Sequence, residues 1–116
     1  MAMSLEEIIA HSPPGVLAVV RGSDPDFKTS GILSGDTLIR TGKGFVSWVS
    51  VSDSAALSIE LNDSTANDGT DQWGLDLPAD AYGMWIFDPP IPFVSGIYLD
   101  VSTVTCKVVV GYKEAV

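Results

Sequence analysis

Short runs in which apolar and polar residues alternate recur along this chain from Gly31 onward. The clearest run is Leu57-Ser-Ile-Glu-Leu61, with its aliphatic side chains at every second position. Successive side chains of a β-strand point to opposite faces, so this pattern predicts strands with one apolar and one polar face. No long segment has the 3.6-residue period of an amphipathic helix. Strands are predicted at residues 37–41, 44–51, 56–62, 73–77, 82–87, 97–101 and 103–112.

The last third of the chain has the strongest strand pattern. Prolines within residues 87–92 predict a corner, and two alternating segments follow it. Their apolar registers contain residues 97, 99 and 101, and then 104, 106, 108, 110 and 112. Short spacing between strands favours antiparallel pairing. We therefore predict an all-β fold for residues 31–116, an antiparallel two-sheet β-sandwich or jelly roll.

The first 30 residues have a different pattern and are predicted to form a short helix and an extended arm. Ser4 followed by Glu6 and Glu7 is typical of a helix start, and Pro13-Pro14 would end that helix. Two turns are too few for a stable isolated helix, so the segment needs a surface to pack on.

Composition limits the functions open to the chain. Its 116 residues suit one domain, and 15 acidic against 6 basic residues give a net charge of −9, which argues against binding nucleic acid. The hydrophobic share of 46% is high for alternating strands. Either a well-filled core or an assembly interface would account for it. No signal peptide and no apolar run long enough to span a membrane is present, so we expect a soluble polypeptide made in the cytosol.

Catalytic patterns are weak throughout the sequence. His11 is the single histidine, and the lone Cys106 lies in an apolar strand register, where a buried thiol is expected. There is no zinc-ligand cluster and no phosphate-binding loop. Asp63, Asp68 and Asp71 lie in a polar loop at residues 62–71, for which a solvated loop is favoured over a calcium site. We predict no enzymatic activity, no metal and no cofactor.

The tryptophans allow a second interpretation. Trp48 and Trp85 lie within apolar strands, which favours the core or a subunit interface, whereas Trp73 adjoins the polar loop and is expected to be exposed. An exposed ring of this kind can stack against a sugar, so carbohydrate binding stays open.

Four segments taken in order resemble small β-sandwich structural proteins of tailed bacteriophage virions. They are Thr29-Ser-Gly-Ile, Gly42-Lys-Gly-Phe-Val-Ser-Trp-Val-Ser-Val, Leu57-Ser-Ile-Glu-Leu-Asn-Asp, and residues 87–112. The shared pattern is a glycine-flanked strand with an aromatic residue, a strand ending in an Asp turn, a proline corner, and a closing hairpin with a valine-rich strand. The resemblance covers residues 29–112.

This resemblance implies a capsid decoration or cement protein that binds the major capsid protein lattice and stabilises the shell without catalysis. It further implies a homo-oligomer, with a trimer expected, on the capsid surface of a virion assembled in the host cytoplasm. The alternative is a tail- or fibre-associated module that binds host-surface carbohydrate. Arms often anchor proteins in viral shells, so residues 1–30 are the expected anchor. Its candidate partner-binding residues are Leu5, Ile8, Ile9, Val16, Leu17, Val19 and Val20.

Overall fold

The computed structural model describes residues 27–68 and 70–115, which form two four-stranded antiparallel sheets. The strands are β1 (Phe27–Thr29), β2 (Thr37–Thr41), β3 (Gly44–Ser52), β4 (Leu57–Asp63), β5 (Thr70–Leu77), β6 (Tyr82–Phe93), β7 (Gly96–Val101) and β8 (Lys107–Glu114). Sheet A has the order β1-β8-β3-β6, and sheet B the order β2-β7-β4-β5. The all-β prediction is confirmed, and the packed sheets are compatible with a β-sandwich. The predicted helix lies outside the described residues.

The core lies between the central strands of the two sheets. Every second residue of these strands is apolar and almost inaccessible to solvent, as the alternation predicted. Cys106 is buried with them, and this burial raises the pKa of its thiol. The buried apolar set is Val46, Val49, Val51, Leu57, Ile59, Leu61, Phe93, Ile97, Leu99, Cys106, Val108 and Val110.

The ends of several strands differ from the prediction. The last strand starts at Lys107 and not at residue 103, so Val104 lies in the preceding turn and is 82% exposed. The polar loop is shorter than expected because β4 extends to Asp63 and β5 begins at Thr70. Phe27–Thr29, at the end of the predicted arm, form an edge strand that pairs with β8. A strand begins and ends where its hydrogen bonds to a neighbouring strand begin and end. The local pattern of apolar and polar residues carries no information on that pairing.

Strand β6 continues through the proline segment that was predicted as a corner. Its pairing with β3 runs from Tyr82 to Ile86 and resumes at Ile91, so residues 87–90, which include the cis peptide bond Asp88-Pro89, have no partner in β3. Proline lacks an N–H and is tolerated at the edge of a sheet. Among the described strands β6 pairs with β3 alone, which is why the chain can place prolines there.

Buried or partly buried polar side chains connect the ends of the sheets. Asp53 is 7% exposed and accepts hydrogen bonds from Thr103 Oγ1 at 2.5 Å, Thr105 Oγ1 at 2.6 Å and the Ala55 N–H at 2.9 Å. These bonds hold the pKa of Asp53 below its usual value. The carboxylate thereby joins the turn after β3 to the turn before β8.

A second connection is an ion-pair cluster at the other side of the molecule. Glu114 of β8 pairs with Lys28 of β1 at 3.0 Å and with Arg40 of β2 at 3.1 Å. Arg40 also donates to the carbonyl oxygens of Lys43 at 3.1 Å and Ala115 at 3.2 Å. Because β1 and β8 belong to sheet A and β2 to sheet B, this cluster links the two sheets.

Replacement of Gly96 by alanine should destabilise the fold. A Cβ at this position would lie 2.6 Å from the carbonyl oxygen of Ser64 and 2.8 Å from that of Arg40, and backbone atoms cannot move aside easily. We expect Gly96→Ala to lower the free energy of unfolding by about 1–3 kcal/mol in urea denaturation. Gly35→Ala is the matched control, since a Cβ there meets nothing within 4 Å. Equal stability of the two variants would contradict this packing.

Candidate docking surface

The outer face of sheet A is an apolar surface, although the chain as a whole is acidic. Side chains pointing away from the core come from each of its strands and are aligned in rows by the register. Tyr82 is 85% exposed, Ile86 74% and Met84 59%. The rows are Phe27–Lys113–Phe45–Pro92, Thr29–Gly111–Trp48–Ile86, Val109–Ser50–Met84 and Lys107–Ser52–Tyr82.

An irregularity in β3 places Trp48 on this surface. The register shifts between Val46 and Trp48, which adds Ser47 to the strand without a partner. A regular strand would direct Val46 and Trp48 to the same side. With the extra residue, Val46 and Val49 both enter the core, while Trp48 lies on the outer face.

Gly111 provides the space that Trp48 occupies. The two residues are opposite each other on β8 and β3, and a Cβ at Gly111 would overlap with the Trp48 indole ring. The indole ring therefore occupies the place that a side chain at position 111 would take. On its other side Trp48 is opposite Ile86, so the tryptophan connects the exposed residues of β6 to the middle of the sheet.

The rows of this face contain two lysines and no carboxylate. Lys107 and Lys113 both lie on β8, and the nearest acidic residues in sequence to the exposed part of β6 are Asp80 and Asp88, at its two ends. A face whose described residues include no carboxylate is unusual on a chain of net charge −9. It can be covered by a partner without removing an unpaired carboxylate from water, which would be unfavourable.

The outer face of sheet B has the opposite character. Glu60 of β4 is flanked by Asp100 of β7, with Asp71 and Asp76 on the adjacent β5. The negative charge of Asp71, with partial burial and Asp100, raises the pKa of Glu60. Burial and then the charge of Asp36 raise the pKa of Asp100. Mutual repulsion of this kind opposes deprotonation, and this face is best hydrated.

Trp73 is half-buried and belongs to an aromatic cluster between the two edge strands β5 and β6. Its ring centroid lies 5.6 Å from that of Phe87, edge to face, and 6.1 Å from that of Trp85. These contacts are favourable aromatic geometries and close this side of the core. The ring surface that contacts Trp85 and Phe87 is not free to stack against a sugar.

The acidic loop residues have structural partners. Asp63 Oδ1 accepts from the backbone N–H groups of Val94 at 3.0 Å, Ser95 at 2.8 Å and Gly96 at 3.4 Å. Asp68 accepts from the Ser64 hydroxyl at 2.6 Å. Within residues 27–68 and 70–115, no three His, Cys, Asp or Glu side chains are arranged to hold a metal ion. The same residues include no helix of the length and apolarity needed to cross a membrane.

The site residues predicted in the arm, from Leu5 to Val20, lie outside the described residues. Sequence reasoning missed the outer face of sheet A. One signal was available, because residues 82–87 are apolar or glycine at every position and so carry apolar side chains on both faces of their strand. Phe45 and Trp48 lie together on the outer face of sheet A because of the irregularity in β3. No feature of the sequence pattern predicts that irregularity.

Comparison with known proteins gave no match: no family model, no curated protein and no solved structure is similar to this chain.

Glu60→Gln should stabilise the protein at neutral pH. The pKa of Glu60 is raised in the folded state, so the folded protein binds the Glu60 proton more tightly than the unfolded chain does. The stability of the wild type therefore falls as the pH rises from the ordinary pKa of glutamate through the raised pKa of the folded state. We expect a higher melting temperature for Glu60→Gln at pH 7 and a smaller advantage below the ordinary pKa of glutamate.

Glu114→Gln is the control with the opposite sign. The hydrogen bond from Lys28 and the charge of Arg40 lower the pKa of Glu114, so its contribution to stability is present at neutral pH and is lost on acidification. This variant should melt below wild type at pH 7. Calorimetry across pH 3–8 measures both effects, and identical shifts at all pH values would contradict the electrostatic explanation.

Proposed function

We propose that this chain is a structural protein of a tailed bacteriophage virion, a capsid decoration protein that binds the major capsid protein lattice and stabilises the shell. One observation supports this most: sheet A presents exposed Tyr82, Met84 and Ile86 on a face with no carboxylate among its described residues, while sheet B presents an acidic face. The resemblance of residues 29–112 to small virion proteins supports the same function.

The apolar face supplies the binding energy in this proposal. Complete burial of one large apolar side chain contributes about 1.5–3 kcal/mol, and several such side chains are exposed together here. Stable protein interfaces generally bury on the order of 1,200–2,000 Å² in total. A single copy need bind only moderately, since many identical contacts over a lattice add their stabilisation to the shell.

The acidic face sets the orientation of the bound protein. Burying Glu60, Asp76 and Asp100 against another surface would require desolvation of charges that already repel one another. The favourable arrangement therefore has sheet A against the shell and sheet B towards solvent. Neighbouring particles then present surfaces of like charge, which favours solubility.

The arm is the second proposed contact with the shell. Its apolar residues precede β1, which forms one edge of sheet A, so the arm joins the molecule beside the proposed docking face. A deletion of residues 2–25 leaves β1 intact and tests the arm separately. Unchanged capsid binding of this deletion would limit the contact to sheet A.

Ile86→Asp should abolish capsid binding and leave the fold intact, because the substitution places a charge among the most exposed apolar side chains of the proposed contact. Val104→Asp is the matched control: both residues are exposed β-branched aliphatics, at 74% and 82%, but Val104 lies in the turn before β8. Co-sedimentation with capsids of the encoding virus, assembled without this protein, measures binding. Equal binding of the two variants would exclude the outer face of sheet A as the docking surface.

Copy number in the virion separates decoration from a tail location. Quantitative gel analysis of purified particles should show on the order of hundreds of copies, because a lattice offers that many equivalent positions. A count in the tens or fewer would contradict a decoration role.

A further inference from the structure

Strand β6 is an edge strand whose first half, residues 82–87, lacks the usual protection against pairing, whereas Asp88 and the three prolines that follow protect its second half. Natural sheets protect their edges with charges, irregularities or very short strands. Among the described edges, β1 has three residues, β2 has a register shift and Arg40, and β5 carries Asp71 and Asp76. The segment Tyr82-Gly-Met-Trp-Ile-Phe87 of β6 has no charge, no proline and a regular register with β3 over residues 82–86.

The hydrogen bonds of β3 show which backbone groups of β6 face outward. The Asp53 N–H donates to the Ala81 carbonyl at 3.2 Å, which makes this a hydrogen-bonded pair at the start of the β3–β6 ladder. Hydrogen-bonded and non-hydrogen-bonded pairs alternate in antiparallel sheets. By this alternation Tyr82, Met84 and Ile86 direct their N–H and C=O groups away from β3, towards the open edge. Their side chains are also the most exposed of the apolar face.

We propose that two copies of this chain associate by antiparallel pairing of their β6 strands. Met84 lies opposite the partner's Met84 on the two-fold axis, and Tyr82 lies opposite the partner's Ile86. The two copies of sheet A then form one continuous eight-stranded sheet. A two-fold interface must be self-complementary, and residues 82–87 satisfy this because they are uncharged and apolar throughout.

Charge favours a second copy at this edge. Two chains of net charge −9 repel each other at most orientations, but within residues 82–87 the paired strands bring no carboxylate opposite another. Asp80 and Asp88 flank the segment. In the proposed register Asp80 of each copy approaches Asp88 of the other copy, one such pair at each end of the paired region. They limit pairing to the uncharged segment, and the association should strengthen as added salt screens them.

Pairing also extends the outer face of sheet A. Tyr82, Met84 and Ile86 of both copies come side by side on the same surface, since strand pairing preserves the face to which each side chain points. The inference stands on the edge alone and does not require that the face binds a capsid. It gives a dimer, where the virion resemblance implies a trimer.

Sedimentation of the full chain at increasing concentration tests the proposal. Wild type should form a dimer. Met84→Pro removes an N–H that makes no bond to β3, so the fold should survive while the dimer dissociation constant rises at least ten-fold. Val109→Lys is the control, because Val109 lies on the outer face of β8, away from the edge, and this variant should stay dimeric. A wild-type monomer or trimer, or a dimer unaffected by Met84→Pro, would overturn the proposal.

Cross-linking provides a second test that keeps the β6 strand unbroken. Hydrogen-bonded antiparallel pairs have Cα atoms about 5.5 Å apart, within the range that a disulfide spans. Met84→Cys should therefore form a covalent dimer on mild oxidation. Val104→Cys, at a site that is more exposed than Met84 (82% against 59%) but lies in a turn, should not, and the natural Cys106 is buried. Equal cross-linking of both variants would also refute the paired edge.

Val109→Lys should weaken binding to the proposed capsid partner without affecting the dimer, so the two proposals can fail separately.

Discussion

The organisation of this protein depends on strand alternation in β3, which lies in the middle of sheet A and contacts both β6 and β8. A β-strand has two faces, and the core takes one of them. The extra residue at Ser47 allows Val46 and Val49 to fill the core on either side of an outward-facing Trp48. Without this irregularity the tryptophan would have to fit between the sheets, and a valine would replace it outside. The core, the outer surface and the need for Gly111 opposite Trp48 all follow from the same shift in register.

Separation of charge between the two outer faces explains how a chain of net charge −9 can retain an apolar surface. On sheet B the carboxylates of Asp71 and Asp76 lie around Glu60 and Asp100, and the pKa values of Glu60 and Asp100 are raised. Sheet A keeps two lysines in its rows. This asymmetry favours binding in one orientation, with the apolar side covered and the acidic side in water. The function in assembly that we propose uses this asymmetry, because it depends on the direction of attachment and not on the chemistry of a pocket.

The edge and the face of sheet A share the residues Tyr82, Met84 and Ile86. Their side chains contribute to the apolar face, and their backbone groups point out of the sheet edge. On the inner side of the same strand, Trp85 and Phe87 pack with Trp73 of β5 and close the core between the two edges. Strand β6 therefore has an inner face packed against the core, an exposed apolar outer face, and an open edge of backbone groups. This explains why its sequence is apolar at almost every position before the prolines begin.

The alternating pattern by itself determined the all-β class, the approximate positions of β2 to β8 and most of the core. Leu57, Ile59 and Leu61, like Ile97 and Leu99, are buried as their spacing predicts, because the period of a strand is a local property of the chain. Only the tertiary structure decided that Trp48 lies outside, that Trp73 is packed between two edges, and that Val104 is exposed. These outcomes depend on the register between strands distant in sequence. An insertion of one residue exchanges the two faces of a strand, and the partner strand, not the local pattern, decides where that insertion is accommodated.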